Sequence, residues 1–255
     1  MMKLTFLGTG TSCGVPTIGC QCEVCRSSNP HDRRLRCSAL LETEHTRILI
    51  DCGPDFREQI LPQPFRRIDA VLITHAHYDH MGGIDDLRPY CQFGEISIYA
   101  DAMARKNMLQ MLPYCFAANR YPGVPAIQLH TLHSHVPLTV NELKVVPVTV
   151  MHGRLPILGF RIGQLAYITD MKTIGDEETG YLEGLDVLVV NALRVKAYHH
   201  SHQRLEEAIE FARRVGARRT YFIHMSHDIG LHEEVNRKLP HGMQLAYDGQ
   251  EIVLN

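Results

Sequence analysis

A chain of 255 residues with 45% hydrophobic and 21% charged residues has the balance of a soluble globular protein with room for a sizeable core. Its formal net charge of −2 does not by itself point to a nucleic-acid or anionic-membrane partner. No run approaches the ~18 apolar residues of a membrane span. The N-terminus lacks a signal-peptide core, so the expected compartment is the cytoplasm, where the eight cysteines stay mostly reduced.

Residues 3–7 read as a strand that ends in Gly8-Thr9-Gly10-Thr11-Ser12-Cys13-Gly14. No Gly-Lys-Ser/Thr follows, so this is not a phosphate-binding P-loop; its glycines let the backbone pass close to something else. Cys20, Cys22 and Cys25 then form a C-x-C-x-x-C cluster. Clustered thiols in a reducing compartment favour zinc over a disulfide, and three thiolates leave one ligand to find. Residues 37–43 and 46–51 read as a hairpin. Asp51 closes its second strand and either orients a ligating histidine from behind or caps the helix expected at 55–61.

The strand at 69–73 delivers the densest polar cluster, Thr74-His75-Ala76-His77-Tyr78-Asp79-His80, followed by Gly82-Gly83. Neutral imidazoles and a carboxylate are the ligand set of zinc, iron or manganese. Burying so many costly polar groups at a strand end for packing alone is a poor bargain. A strand at 95–99 and a helix at 102–112 follow. The long loop 113–125, with Tyr114, Phe116 and Tyr121, is of the kind that covers a site or only fills its own core. Strands are expected at 126–132, 143–150, 157–162, 165–169 and 185–190. Of these, 143–150 runs into His152 and 165–169 into Asp170. An amphipathic helix spans 202–215, with Leu205, Ala208, Ile209, Ala212 and Val215 on one face. Strand 219–223 ends in His224-Met225-Ser226-His227. A helix at 229–238 and short strands at 244–247 and 250–254 close the chain. The cluster His130, His133 and His135 reads as loop or strand surface, and the short arginine clusters as solvated faces. No linker divides the sequence, so a single domain over 1–255 is expected, with a zinc-binding loop at about 13–37.

Collected, the polar strand ends are His75, His77, Asp79, His80, His152, Asp170 and His224. Seven N/O ligands are too many for one tetrahedral ion and suit two. This ordered set resembles the metallo-β-lactamase superfamily. The resemblance implies an α/β fold, an αββα sandwich of two mixed sheets flanked by helices. It also implies that His75, His77 and His152 hold one metal, that Asp79, His80 and His224 hold the other, and that Asp170 bridges them.

A narrower resemblance, to the PhnP-type phosphodiesterases, rests on Leu7-Gly8-Thr9-Gly10, the three cysteines, His202 and the pair His224 and His227. It implies a structural zinc on Cys20, Cys22, Cys25 and His227, although Cys13 or Cys37 would also complete a tetrahedral set. It implies a metal-dependent phosphodiesterase that opens a cyclic phosphodiester, of phosphoribosyl 1,2-cyclic phosphate or 2′,3′-cyclic nucleotide type. Hydroxide generated between two ions, zinc or manganese, would attack phosphorus. The candidate catalytic residues are Asp79 and His202; His202 would contact the phosphate or protonate the leaving oxygen, or is merely a helix-start histidine.

Arg154, two residues past His152, is placed to meet a phosphate or is an exposed loop charge; His199 and His200 carry no assigned role. A thioester or lactone hydrolase on the same metals is the alternative. A tRNA 3′-processing endonuclease is disfavoured because no basic arm is inserted, and a non-catalytic scaffold because the ligand set has no gap. A small-molecule partner follows, and the oligomeric state, a homodimer included, stays open.

Overall fold

The computed structural model describes residues 1–117, 119 and 122–254. Its strands are β1 (Met2–Gly8), β2 (Ser38–Glu42), β3 (Arg47–Ile50), β4 (Ala70–Leu72), β5 (Ile96–Ala100), β6 (Ile127–Thr131), β7 (Leu138–Val140), β8 (Leu143–His152), β9 (Leu155–Ile162), β10 (Leu165–Ile168), β11 (Val187–Asn191), β12 (Arg219–Ile223), β13 (Met243–Leu245) and β14 (Glu251–Leu254). They form two sheets, ordered β14-β1-β2-β3-β4-β5-β6 and β13-β12-β11-β10-β9-β8-β7. Each is mixed: β3 to β6 are parallel in the first and β10 to β13 in the second, while the remaining pairs are antiparallel.

The central strands are apolar on both faces, which is the pattern of strands covered on both sides. In β3, Ile48 and Ile50 point into the layer between the sheets, and Leu49 points outward to Phe56, Ile60 and Met108. In β11, Val187 and Val189 enter the same inner layer, and Leu188 and Val190 face Ala208, Phe211 and Ala212 of the helix Leu205–Val215. The inner layer joins residues of both sheets, from Phe6 and Leu72 to Phe160 and Tyr221. Helices therefore cover both outer faces, and the architecture is the expected αββα sandwich.

The expected elements are present, with trimmed ends. The helix expected at 202–215 starts at Leu205, where Glu207 accepts from the Arg204 N–H, and stops at Gly216, whose φ of 70° is the left-handed cap that favours glycine. The C-terminal helix is a single turn, His232–Asn236, because His227–Ile229 is a separate 3₁₀ turn ended by Gly230. Several short elements are not legible in the sequence: β7, only three residues long, a 3₁₀ helix at Ile84–Phe93 that contains Pro89, a 3₁₀ turn at Pro30–Asp32, and helical turns at Tyr78–Met81, Asp176–Gly180 and Pro113–Phe116, the last inside the segment expected to be a loop. The 113–125 segment leans on the 3₁₀ helix Ile84–Phe93. Tyr114 Oη donates to Asp85 Oδ1 at 2.8 Å, and Arg88 donates to the Gly123 carbonyl at 2.8 Å. Tyr121 of this loop lies outside the described residues.

Candidate metal centre

The parallel strands β3, β4, β10 and β12 all end at one edge of the sandwich, where α/β sheets expose their functional loops. The strands stay buried until the last apolar residue, and the chain then turns with a polar side chain aimed inward. Three of these turns use left-handed backbone: Asp51 (φ 59°) after β3, Asp170 (φ 54°) near the end of β10, and His224 (φ 56°) after β12. Asp and His tolerate this region better than most residues, and strain of this kind gathers at functional sites. After β4, Thr74 and His75 lead into a single helical turn, Tyr78–Met81, which presents Asp79 and His80. Gly53 lets the 51–54 loop press against this turn, since a Cβ there would lie 2.0 Å from the Asp79 carbonyl oxygen.

All seven predicted residues converge. Asp170 is central. Its Oδ1 lies 3.4 Å from His80 Nε2 and 3.2 Å from His224 Nε2. Its Oδ2 lies 3.8 Å from His75 Nε2 and 3.0 Å from His202 Nε2. Donor atoms of His75, His77 and Asp170 form one close group, those of Asp79, His80 and His224 a second, and those of His152, Asp170 and His202 a third. The ring nitrogens of His75 and His77 approach to 3.0 Å, and His80 Nε2 lies 3.3 Å from Asp79 Oδ2.

The surroundings aim these atoms. His80 Nδ1 lies 2.7 Å from Asp51 Oδ2, so its Nε2 faces the cluster. Asp51 also accepts from the Thr74 N–H at 2.8 Å and from the Thr74 hydroxyl. The choice left open for Asp51 is thereby resolved: it orients His80, while Asp55 occupies the N-cap position of the helix Phe56–Ile60 without making a side-chain capping bond to it. His152 Nδ1 donates to the carbonyls of Asp170 (2.8 Å) and Ser201 (3.0 Å), which turns its Nε2 inward. Thr74, Asn191 and Ser201 were not singled out by sequence. Asn191 ends β11 and grips both backbone groups of Met171, fixing the residue after Asp170. Its only sequence signal was a polar residue closing an apolar run.

This donor set fits cations. His80 Nε2 and both ring nitrogens of His224 are buried and make no hydrogen bond, which is costly unless something else takes their lone pairs. Burial keeps His75 well below the usual imidazole range and holds His77 down, so both are neutral. Burial disfavours charge on His80 too, but Asp170, Asp51 and Asp79 outweigh it and hold its pKa well above the usual value. Burial works against charge on Asp170 as well, yet His224 and His80 keep its carboxyl well below the usual range. The cluster thus draws positive charge.

A second cluster sits nearby. The sulfurs of Cys20, Cys22 and Cys25 and a ring nitrogen of His227 form one close group. His227 Nδ1 is 3.4 Å from Cys20 Sγ and 3.2 Å from Cys22 Sγ. The edge of a tetrahedral zinc–S₃N site is roughly 3.5 Å. The Cys22 thiol is pulled down to about 6, by the Cys25 backbone N–H first and His227 next. Cys13 is exposed and Cys37 is buried between the sheets, so of the three candidates only His227 meets the thiols. Thr9 and Thr11 hydrogen-bond both backbone groups of Met225 at 3.0 Å, tying the N-terminal loop to the segment that carries His224 and His227.

A cavity of about 610 Å³ opens beside the first cluster, lined by His77, His152, Gly153, Arg154, Leu155, His200 and Ser201. The Arg154 guanidinium forms no hydrogen bond or ion pair among the described residues. Of the other histidines, His130 stacks on Tyr99, and His135 bonds Glu178 and stacks on Tyr181. His130 lies on β6 and His135 in the turn between β6 and β7.

Fold and ligand geometry together define a metal-binding sandwich with its site at one sheet edge. A model of the beta-lactamase superfamily domain matches residues 46–225, and the chain belongs to that superfamily. It is similar to a crystal structure of a diphosphatase from the PhnP family, with a TM-score of 0.92 and 41% identity over 100% of this chain and 98% of that one. Zinc-bound PqqB from Methylobacterium extorquens shares the fold at 18% identity, with a TM-score of 0.82 over 99% of this chain and all of that one. The chain is 44% identical over its full length to an octanoyltransferase of Porphyromonas gingivalis, of which it spans 52%. It is 32% identical over 169 residues to a ribonuclease Z of a Cyanothece species, covering 64% of this chain and 47% of that protein. The chain thus spans about half the length of these curated relatives. No helix among the described residues is long and apolar enough to cross a membrane.

Proposed function

We propose that this chain is a metal-dependent phosphodiesterase that opens a cyclic phosphodiester, of phosphoribosyl 1,2-cyclic phosphate or 2′,3′-cyclic nucleotide type. The observation that carries the reading is the Asp170 carboxylate, whose two oxygens face two different groups of donors. His75, His77 and His152 would hold one divalent cation, Asp79, His80 and His224 the other, with Asp170 between them. Zinc or manganese suits these donors. A structural zinc would take Cys20, Cys22, Cys25 and His227, within one domain over 1–255. When bound, a cation pair supplies Lewis acidity that activates water near neutral pH and offsets charge growing on phosphoryl oxygens.

The chain's own groups do the rest. Arg154, unpaired at the cavity mouth, attracts the anionic substrate and offers a fork for its oxygens. Asp51, Thr74 and the carbonyls at 170 and 201 keep the imidazoles in one orientation. His202 faces the cluster through Nε2 and serves the departing oxygen as the P–O bond breaks. The PhnP-family neighbour is a diphosphatase, which supports cleavage of a bond at phosphorus.

A second reading is acyl hydrolysis, favoured by the octanoyltransferase relative. That name describes a protein about twice the span matched here, so the matched half need not carry it. The test is turnover by zinc- or manganese-loaded protein on a panel: a cyclic nucleotide, phosphoribosyl 1,2-cyclic phosphate, a diphosphate, a linear aryl phosphodiester, a thioester and a lactone. Cyclic phosphodiesters should turn over fastest. Turnover of the thioester or lactone alone would overturn the proposal.

A further inference from the structure

Thr169 and Asp170 follow the last residue of β10, and side chains of neighbours in an extended chain point to opposite sides. These two meet instead. The left-handed backbone at Asp170 (φ 54°) breaks the alternation and brings the carboxylate back to the residue before it. The Thr169 hydroxyl donates to Asp170 Oδ1 at 2.6 Å, the length of a charge-assisted bond. Thr169 is fully buried, and its hydroxyl has no other hydrogen-bond partner among the described residues.

The contact fixes a torsion that is otherwise soft. The last side-chain torsion of an aspartate is broad and roughly two-fold, so a carboxylate without a partner turns readily. Threonine has two heavy atoms on Cβ and few rotamers, which makes its hydroxyl a stiff anchor. Held there, Oδ1 stands 3.4 Å from His80 Nε2 and 3.2 Å from His224 Nε2. Oδ2 points the other way, 3.8 Å from His75 Nε2 and 3.0 Å from His202 Nε2. A quarter turn about the Cβ–Cγ bond would take both oxygens off these lines.

We infer that Thr169 is a positioning residue: its hydroxyl holds the Asp170 carboxylate in the orientation that offers one oxygen to each group of donors, and so lets a single carboxylate serve two cations. The inference rests on the proposed two-cation reading of Asp170 and adds what keeps that carboxylate in place. Thr169 acts only through Asp170.

The test uses the full chain. Thiolates prefer zinc to manganese, so one zinc equivalent fills the cysteine cluster before manganese(II) is titrated in. Two manganese ions that share a carboxylate give an exchange-coupled electron paramagnetic resonance spectrum, distinct from that of isolated ions. Thr169→Val removes the hydroxyl, and its methyl cannot approach an oxygen to the same distance. The parent protein should take up two coupled manganese ions. Thr169→Val should bind the more weakly held one about 10- to 100-fold less tightly and lose the coupled signal at equal loading. Thr169→Ser returns a hydroxyl to the same place and should restore both the affinity and the coupling, which a packing role alone would not do. Thr169→Ala, which opens a gap in place of a clash, gives the same comparison if Thr169→Val does not fold. Parent-like affinity and coupling in the variants without a hydroxyl would overturn the inference and leave the two-cation reading standing. A Thr169→Ser protein as impaired as Thr169→Val would also sink it. A parent protein that takes up a single manganese ion at the cluster would bring down the two-cation reading and the role of Thr169 together.

Discussion

Asp51→Asn keeps the shape of a buried side chain and reverses one hydrogen bond. The left-handed backbone at 51 is tolerated by asparagine, whereas alanine would add strain of its own. The new amide oxygen must keep accepting from the Thr74 N–H, now at 2.8 Å, so the amide nitrogen takes the place of Oδ2. It then lies where a partner 2.7 Å away, His80 Nδ1, has been donating. Two donors cannot face each other, and the imidazole answers by moving its hydrogen to Nε2. That atom is the one aimed at Asp79 and Asp170, and once protonated it can no longer ligate. Loss of such an orienting partner typically costs about 10- to 100-fold in metal affinity, or about 1.4–2.8 kcal/mol. Competition with a fluorescent chelator, titrated with zinc and with manganese, measures the affinity. Activity of Asp51→Asn should recover when metal is supplied in excess. A folded variant that binds its most weakly held cation as tightly as the parent would refute the tautomer argument.

Other outcomes follow from the same geometry. His227→Ala should lose one zinc equivalent by metal analysis. It should also unfold at a lower temperature, since a site filled a thousandfold above its Kd stabilises by about 4 kcal/mol. Arg154→Ala should raise KM for an anionic phosphodiester about tenfold and leave kcat nearly unchanged, which steady-state kinetics at low salt would show. The raised pKa of His80 sets a pH dependence. In metal-free protein its proton contributes stability that is fully present below the ordinary pKa of 6.5 and is lost as pH rises through the raised value. A cation must expel that proton, so metal affinity should climb about tenfold per pH unit while His80 remains protonated in the metal-free form. Calorimetry in buffers of different ionisation enthalpy would count the released proton.

The cluster was legible because its ligands end apolar runs, and those runs cannot fold except as buried strands. His75 to His80 announced themselves by density, and His152, Asp170 and His224 by position alone. The division of these residues between two cations rests on family resemblance, because spacing alone does not encode it. What escaped was the support. Asn191, Thr74 and the carbonyl of Ser201 act through backbone contacts between segments far apart in the chain, and no spacing encodes those. The role of Asp51 was undecidable for the same reason, since orienting a histidine and capping a helix ask for the same residue at the same strand end. The 113–125 loop, with its aromatics and prolines, read equally as cover or filler. Tyr114 bonding Asp85 shows one end of it fastened to the 3₁₀ helix, whose proline had hidden that helix from periodicity.

The left-handed turns at Asp51, Asp170 and His224 also limit how this scaffold can be re-engineered. Retargeting a metal site ordinarily means exchanging donor atoms, a carboxylate for a thiolate or a short acid for a longer one. Here each exchange is filtered twice, once by the chemistry of the donor and once by the backbone beneath it. Glutamate or cysteine at 170 or 224 would pay about 1–2 kcal/mol for the bend before any bond to a metal is counted. Asn, Asp and His are the side chains that accept such a bend most readily, and they are also oxygen and nitrogen donors. A library aimed at softer metals should therefore vary His75, His77 and His152, whose backbones carry no such tax, and leave the three bent positions alone.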